Sequence, residues 1–190
     1  MDEVSSIRVR LLEPSDLPIR VCWMNDERIY RQMPLHVPVS LSGTQKWFSN
    51  ILLSASRYDF AFVNEGGSEG QDGQPIAMAG LVDIDHRNSR AELYIMVDPS
   101  LTGKGVGTRV LRWLCNFGFG YLNLNRIYLF TLESNERARG FYEKNGFVFE
   151  GVLRKHAYHL GRLVDRYVHA MLRDEWKRQP WYKTDPGFKA

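Results

Sequence analysis

A single mixed α/β domain is the fold that this sequence of 190 residues predicts. Three observations carry the prediction. Seven short runs alternate or are continuously apolar, and polar or glycine-containing turns bound them. Segments with apolar residues at helical spacing lie between those runs. No internal repeat or linker divides the chain, whose length suits one hydrophobic core.

Residues 7–12 (IRVRLL) alternate like an edge strand, and Pro14-Ser15-Asp16 follow. Ser15 or Asp16 can cap a helix that tolerates Pro18 in its first turn. Ile19, Cys22, Trp23, Ile29 and Met33 then space as one helical face until Pro34 and Pro38 interrupt it. A second helix is expected from Ser42, with Trp47, Phe48, Ile51 and Leu52 as its apolar stripe. Strands over 58–63 and 75–85 flank the polar loop 64–73 (NEGGSEGQDG), which reads as a hairpin connection. A further strand spans 90–98.

The segment 104–122 predicts a helix with Val106, Val110, Leu114, Phe117 and Tyr121 on one side. Residues 126–132 form another strand and 135–146 a short helix, which Gly146 is placed to terminate in a left-handed conformation. The remainder reads as a hairpin turning at Gly161-Arg162. The domain is expected to span 1–176, with 177–190 as an irregular extension.

Composition narrows the classes. Hydrophobic residues make up 44% and charged residues 25%, ordinary values for a water-soluble domain. A net charge of +3 argues against a nucleic-acid partner. No apolar run approaches the roughly 20 residues needed to cross a membrane, and the N-terminus reads as no signal peptide. Cys22 and Cys115 read as buried free thiols in a reducing compartment, so a cytoplasmic location is expected.

The most informative stretch is VDPSLTGKGVGTRVL, where a strand ends at Asp98-Pro99 and a helix begins among Gly103, Gly105 and Gly107. Glycine lets backbone N–H groups converge, and a helix start offers unpaired donors with partial positive charge. Lys104 adds a full charge at the rim. A P-loop would need Ser or Thr after its lysine, where Gly105 stands. A dinucleotide fold would place the turn after the first strand, with an acidic residue about twenty positions on; Ile127 lies there. A turn that only packs a helix on a sheet is the other reading.

A second segment, NERARGFYEKNGFVFEG (135–151), decides between them. Together the two resemble the cofactor motifs of the GNAT superfamily of acyl-CoA-dependent N-acetyltransferases. The loop pattern Gln/Arg-x-x-Gly-x-Gly/Ala corresponds to Thr102–Gly107, with Thr102 departing from the customary first residue. The later segment matches at Asn135, Ala138, Phe141, Tyr142, Glu143, Lys144, Gly146 and Phe147. The resemblance runs from about Ile7 to Trp176. It implies a GNAT-like domain: a mostly antiparallel twisted sheet of six to seven strands, split between the fourth and fifth, with about four helices.

It also implies acetyl-CoA as co-substrate. Thr102, Gly103, Lys104, Gly105, Val106, Gly107 and Thr108 would hold its pyrophosphate, and Asn135 would contact it or cap the short helix. A backbone N–H at Met96 or Val97 would meet the thioester oxygen, where one donor is worth about 3 kcal/mol. Tyr142 stands where the family commonly places the acid for the leaving thiolate; a buried core tyrosine is the alternative.

Glu92 shares a strand face with Tyr94 and Met96 and is the first candidate to take the acceptor's proton. A salt bridge to Arg90 or Arg87 is its alternative role. Asp83 and Asp85, with Asp26 and Glu27, would form an acidic mouth for a cationic amine or are solvated ends of their elements.

No metal site is expected. His156 and His159 fall on opposite strand faces, and His36, His86 and His169 lie in separate elements. The flanking segments are similar to a bacterial subgroup acting on spermidine, amino-sugar nucleotides and ribosomal-protein N-termini, which often forms homodimers. A small-molecule amine is therefore the expected acceptor. A protein α-amine and a non-catalytic acyl-CoA sensor are the alternatives.

Overall fold

The computed structural model describes residues 7–64, 73–183 and the backbone of 188–189, so the loop expected at 64–73 lies largely outside the described residues. The strands are β1 (Ile7–Leu11), β2 (Tyr58–Asn64), β3 (Pro75–Asp85), β4 (Arg90–Val97), β5 (Arg126–Leu132), β6 (Val148–His159), β7 (Arg162–Leu172) and the two-residue β8 (Phe188–Lys189). They form one sheet in the order β6-β7-β5-β4-β3-β2-β1-β8. The pairs β4–β5 and β1–β8 are parallel and the others antiparallel. Seven principal strands match the expectation, and β8 extends the β1 edge.

Among the described residues six α-helices flank the sheet: α1 (Leu17–Met24), α2 (Glu27–Tyr30), α3 (Leu41–Ile51), α4 (Val106–Cys115), α5 (Glu136–Lys144) and α6 (Arg173–Lys177). The continuous first helix expected from sequence is broken at Asn25-Asp26. The Asp26 carboxylate accepts the Arg28 N–H at 2.8 Å and so starts α2. Ser40, rather than Ser42, opens α3, its hydroxyl accepting the Gly43 N–H at 3.0 Å. Leu52, assigned to the apolar stripe, is exposed, because the helix ends before it.

The helix expected over 104–122 changes pitch. After Cys115 the chain widens into a π-helical turn (Asn116–Tyr121), with the Leu122 N–H donating to the Phe117 carbonyl at 3.0 Å. Val106, Val110 and Leu114 are buried as expected, but the wider turn gives Gly118 and Phe119 to the core and leaves Tyr121 76% exposed. Two other expectations change. Leu160 and Gly161, both at positive φ, form the two-residue β6–β7 turn, with His159 opposite Arg162. Cys22 is exposed on α1, whereas Cys115 is buried.

Two apolar clusters sandwich the sheet. One, under α4 and α5, includes Leu93, Val110, Leu114, Ile127, Tyr142 and Phe147. The other, under α1 and α3, includes Trp23, Phe48, Met78 and Met96. Strand alternation thus places Leu93 and Met96 on opposite faces of β4. The chain beyond α6 continues in turns to Lys183, and Trp181, 4% exposed, joins the α4-side core. The extension expected after Trp176 is therefore anchored to the domain.

Candidate active site

The site begins with a pairing that stops early. Strands β4 and β5 are in register only at Arg90–Arg126, Ala91–Ile127 and Glu92–Tyr128. Beyond Glu92 they part, and Leu93–Val97 and Phe130–Leu132 become walls of a cleft of about 990 Å³. The antiparallel ladders tell which backbone groups face the gap. The Asp98 N–H donates to Ile76 at 2.9 Å, so hydrogen-bonded positions alternate back along the β3–β4 pair through Met96, Tyr94 and Glu92. The amides of Val97 and Ile95 consequently point into the opening, while that of Leu93 is committed to the last rung of the β4–β5 pairing. Of the two expected oxyanion donors, Val97 has the right orientation, and the Met96 amide belongs to the β3 ladder.

The same reasoning applies to β5. The Glu133 N–H donates to Asp165, which assigns Thr131 and Leu129 to the β7 ladder and turns the peptide groups of Leu132 and Phe130 toward the cleft. Both walls therefore present free strand edges to whatever lies between them.

At the open end of β4, Asp98 caps the turn Pro99–Leu101 by accepting the Ser100 N–H at 2.8 Å. Gly103 and Gly105 then adopt φ of 85° and 83°, where a side chain would be strained. No side chain caps α4, and the first intrahelical bond runs from the Arg109 N–H to the Gly105 carbonyl at 3.3 Å. The N–H groups of Val106, Gly107 and Thr108 thus remain as donors at the positive end of the helix. Thr102, Gly103, Gly105, Gly107 and Thr108 line the cleft. Lys104 is exposed and the Val106 side chain is buried; neither lines it.

Tyr142 lines the cleft from α5. The helix ends in a double cap: the Phe147 N–H donates to Tyr142 at 3.1 Å and the Gly146 N–H to Glu143 at 3.0 Å, with Gly146 at φ 93° as expected. The Phe147 ring packs against Tyr142, and burial pushes the phenol pKa upward, so Tyr142 holds its proton. At the other end of α5, the Asn135 carbonyl caps the Ala138 N–H at 3.0 Å while its amide donates to the Gln32 carbonyl at 3.2 Å. Asn135 also lines the cleft and ties its wall to the segment after α2.

Glu92 sits where β4 and β5 separate, on the sheet face opposite Leu93. Neither arginine considered from sequence pairs with it: Arg90 turns to Asp85 at 3.5 Å, and the cation nearest Glu92 is Arg166 of β7, at 3.9 Å. Burial raises the Glu92 pKa, Arg166 opposes that and nearby Asp83 reinforces it. Sequence reading missed Arg166, because only the β5–β7 pairing brings it to the cleft.

The expected acidic mouth does not form. Asp26 is bound by Arg28 at 2.6 Å, which holds its pKa at about 2. Glu27 pairs with Arg31 at 2.6 Å, and Asp85 accepts hydrogen bonds from Asn88. Asp83 is exposed at φ 49°, where a bulge interrupts β3. None of the four lines the cleft. Among the described residues no group of His, Cys, Asp and Glu could hold a metal ion, and no helix is long and apolar enough to cross a membrane.

A gap with amide edges, opening at an uncapped helix start, suits a long carrier with peptide-like bonds and a diphosphate end. The class this points to is that of the GNAT acetyltransferase domains. Residues 6–148 match the family model described as an acetyltransferase (GNAT) domain, and the chain belongs to that family. Spermidine N(1)-acetyltransferase of Escherichia coli (strain K12) is 40% identical over 82 residues, 43% of this chain and 44% of that enzyme's length. YdaF of Bacillus subtilis (strain 168), whose name provisionally assigns it ribosomal N-acetyltransferase activity, is 29% identical over 90% of this chain and 93% of its own. The crystal structure of spermidine N-acetyltransferase from Vibrio cholerae in complex with CoA and spermine shares the fold, with a TM-score of 0.82. It is 24% identical to this chain, covering 90% of it and 98% of that protein.

Proposed function

We propose that this chain transfers the acetyl group of acetyl-CoA to a primary amine of a small molecule. Polyamines, amino sugars and amine antibiotics are the candidate acceptors. The observation that carries the reading is the three-residue β4–β5 pairing, which leaves Val97 and Tyr142 on the walls of one opening. The amides of α4 receive the pyrophosphate, and the strand edges bind the pantetheine arm as an added strand.

Tyr142 belongs to the α4-side core, whereas Glu92 lies on the opposite sheet face. Thioester and amine thus approach through the gap from opposite sides. The amine, near pKa ~10 when lysine-like, gives a proton to Glu92 through intervening water and attacks the carbonyl carbon. The Val97 N–H meets the charge that grows on the carbonyl oxygen. As the C–S bond breaks, the nitrogen loses its second proton to solvent and the Tyr142 hydroxyl donates to the departing sulfur; solvent then returns a proton to the phenolate and takes the one held by Glu92. No acyl-enzyme forms.

A protein α-amine is a second reading, favoured by the match to YdaF over nearly the whole chain. The test is thiol release from acetyl-CoA with an amine panel and N-terminal peptides, scored by product mass. Acetylated small amines are expected. Peptide products alone would support the second reading, and binding without release would make the domain a sensor.

A further inference from the structure

Three arginines and two carboxylates line the cleft. Glu136 and Arg137 stand at the start of α5, and Arg28 is held by both oxygens of Asp26, at 2.9 and 2.6 Å. Glu92 and Arg166 remain. Their separation of 3.9 Å exceeds hydrogen-bond reach, and among the described residues the Arg166 guanidinium donates no hydrogen bond. Its Nε is buried without a partner, and its Cζ lies over the Phe130 ring, 4.3 Å from the centroid. Stacking on Phe130 fixes the guanidinium while leaving its fork of donors unspent.

A polyamine would bring several positive charges beside this arginine, with Glu92 as the single carboxylate on that stretch of the cleft wall. Arg166 is also remote from the pyrophosphate turn. Through Glu92 it shares the sheet face opposite the α4-side core, away from the helix start that would receive the pyrophosphate. An unspent guanidinium this far from the cofactor's phosphates is a site for an anion on the acceptor.

Resting on the transferase reading above, we propose that Arg166 is a specificity residue that selects primary amines carrying a carboxylate or phosphate. Glu92 faces the amine of such an acceptor and Arg166 its anionic group, so a zwitterion finds both charges matched.

The test measures kcat/KM by thiol release at pH 8 with acceptors of matched skeleton that differ in charge. One arm compares 6-aminohexanoate with hexylamine and hexane-1,6-diamine; the other compares glucosamine 6-phosphate with glucosamine. The wild type is expected to favour the anionic member of at least one arm tenfold or more, and that arm identifies the anion. Arg166→Gln should abolish the preference through KM, lowering kcat/KM at least tenfold more for the anionic acceptors than for those without an anion, and Arg166→Lys should restore part of it. A wild-type preference for the diamine overturns the proposal, even if neither variant folds. So does a preference that survives Arg166→Gln, or an equal loss for every acceptor, which would make Arg166 only a partner of Glu92. If acetyl-CoA binds but no amine releases thiol, the transferase reading itself falls, and the inference with it.

Discussion

At the scale of single residues, burial sets the protonation states that the chemistry needs. Tyr142 is driven toward its neutral form, the state that the proposed acid needs. Tyr142→Phe keeps the ring against Phe147 and removes only the hydroxyl. It should lower kcat tenfold or more, about 1.4 kcal/mol or above, with the acetyl-CoA dissociation constant unchanged. Single-turnover kinetics beside calorimetry would check both, and undiminished turnover would remove Tyr142 from the mechanism. As the proposed base Glu92 must be ionised, and its raised pKa should move the acid limb of kcat/KM above the ordinary carboxylate value near ~4.3. Removing the positive charge of Arg166 disfavours the carboxylate further. The limb should therefore rise in Arg166→Gln and vanish in Glu92→Gln, whatever the acceptor's own pKa.

At the scale of elements, the strands were legible because their apolar runs end at turn residues, and the Gly146 terminator because its αL role is local. The pitch change after Cys115 was not legible: an i→i+5 turn leaves the preceding apolar spacing intact and shows itself only where Tyr121 turns outward. The site divides the same way. The glycine turn and Tyr142 come from contiguous motifs, whereas Arg166 meets Glu92 only through strand pairing across the sheet. The cancelled acidic mouth did leave a trace, since Glu27 and Arg31 stand four apart on a helix.

Gly80 belongs to this scale as well. It lies between Asp59 and Tyr94 in register, and the Tyr94 hydroxyl donates to Asp59 at 2.6 Å past it. A Cβ at Gly80 would stand 2.3 Å from the Tyr58 carbonyl oxygen and 2.9 Å from the Tyr94 ring. The backbone contact cannot be relieved by a side-chain rotation. Gly80→Ala should cost about 2–3 kcal/mol, several degrees in melting temperature. Gly140→Ala, on exposed α5 with nothing within 4 Å of the new methyl, should instead stabilise by up to about 1 kcal/mol. Equal melting temperatures for the two variants would contradict the packing argument.

At the scale of the whole molecule, the sheet is two sheets joined at a narrow seam. Strands β1 to β4 carry α1 to α3 on one side, β5 to β7 carry α5, and only three residue pairs connect β4 to β5. The apolar layer beneath α4 supports the seam, but its upper half presents unpaired edges on both walls. A ligand bridging those edges supplies the hydrogen bonds that a closed sheet would have made, and it does so only in the folded state. At one hundred times its dissociation constant, acetyl-CoA should therefore add about 2.7 kcal/mol to stability, or about 5–11 °C in melting temperature for a chain of this size. Gly105→Asp places a carboxylate among the amides proposed to receive the pyrophosphate, at φ 83°. It should reduce that rise to near zero while leaving unliganded melting within a few degrees. A scan with and without the coenzyme measures both, and an equal rise in the variant would mean that the glycine turn does not hold the diphosphate.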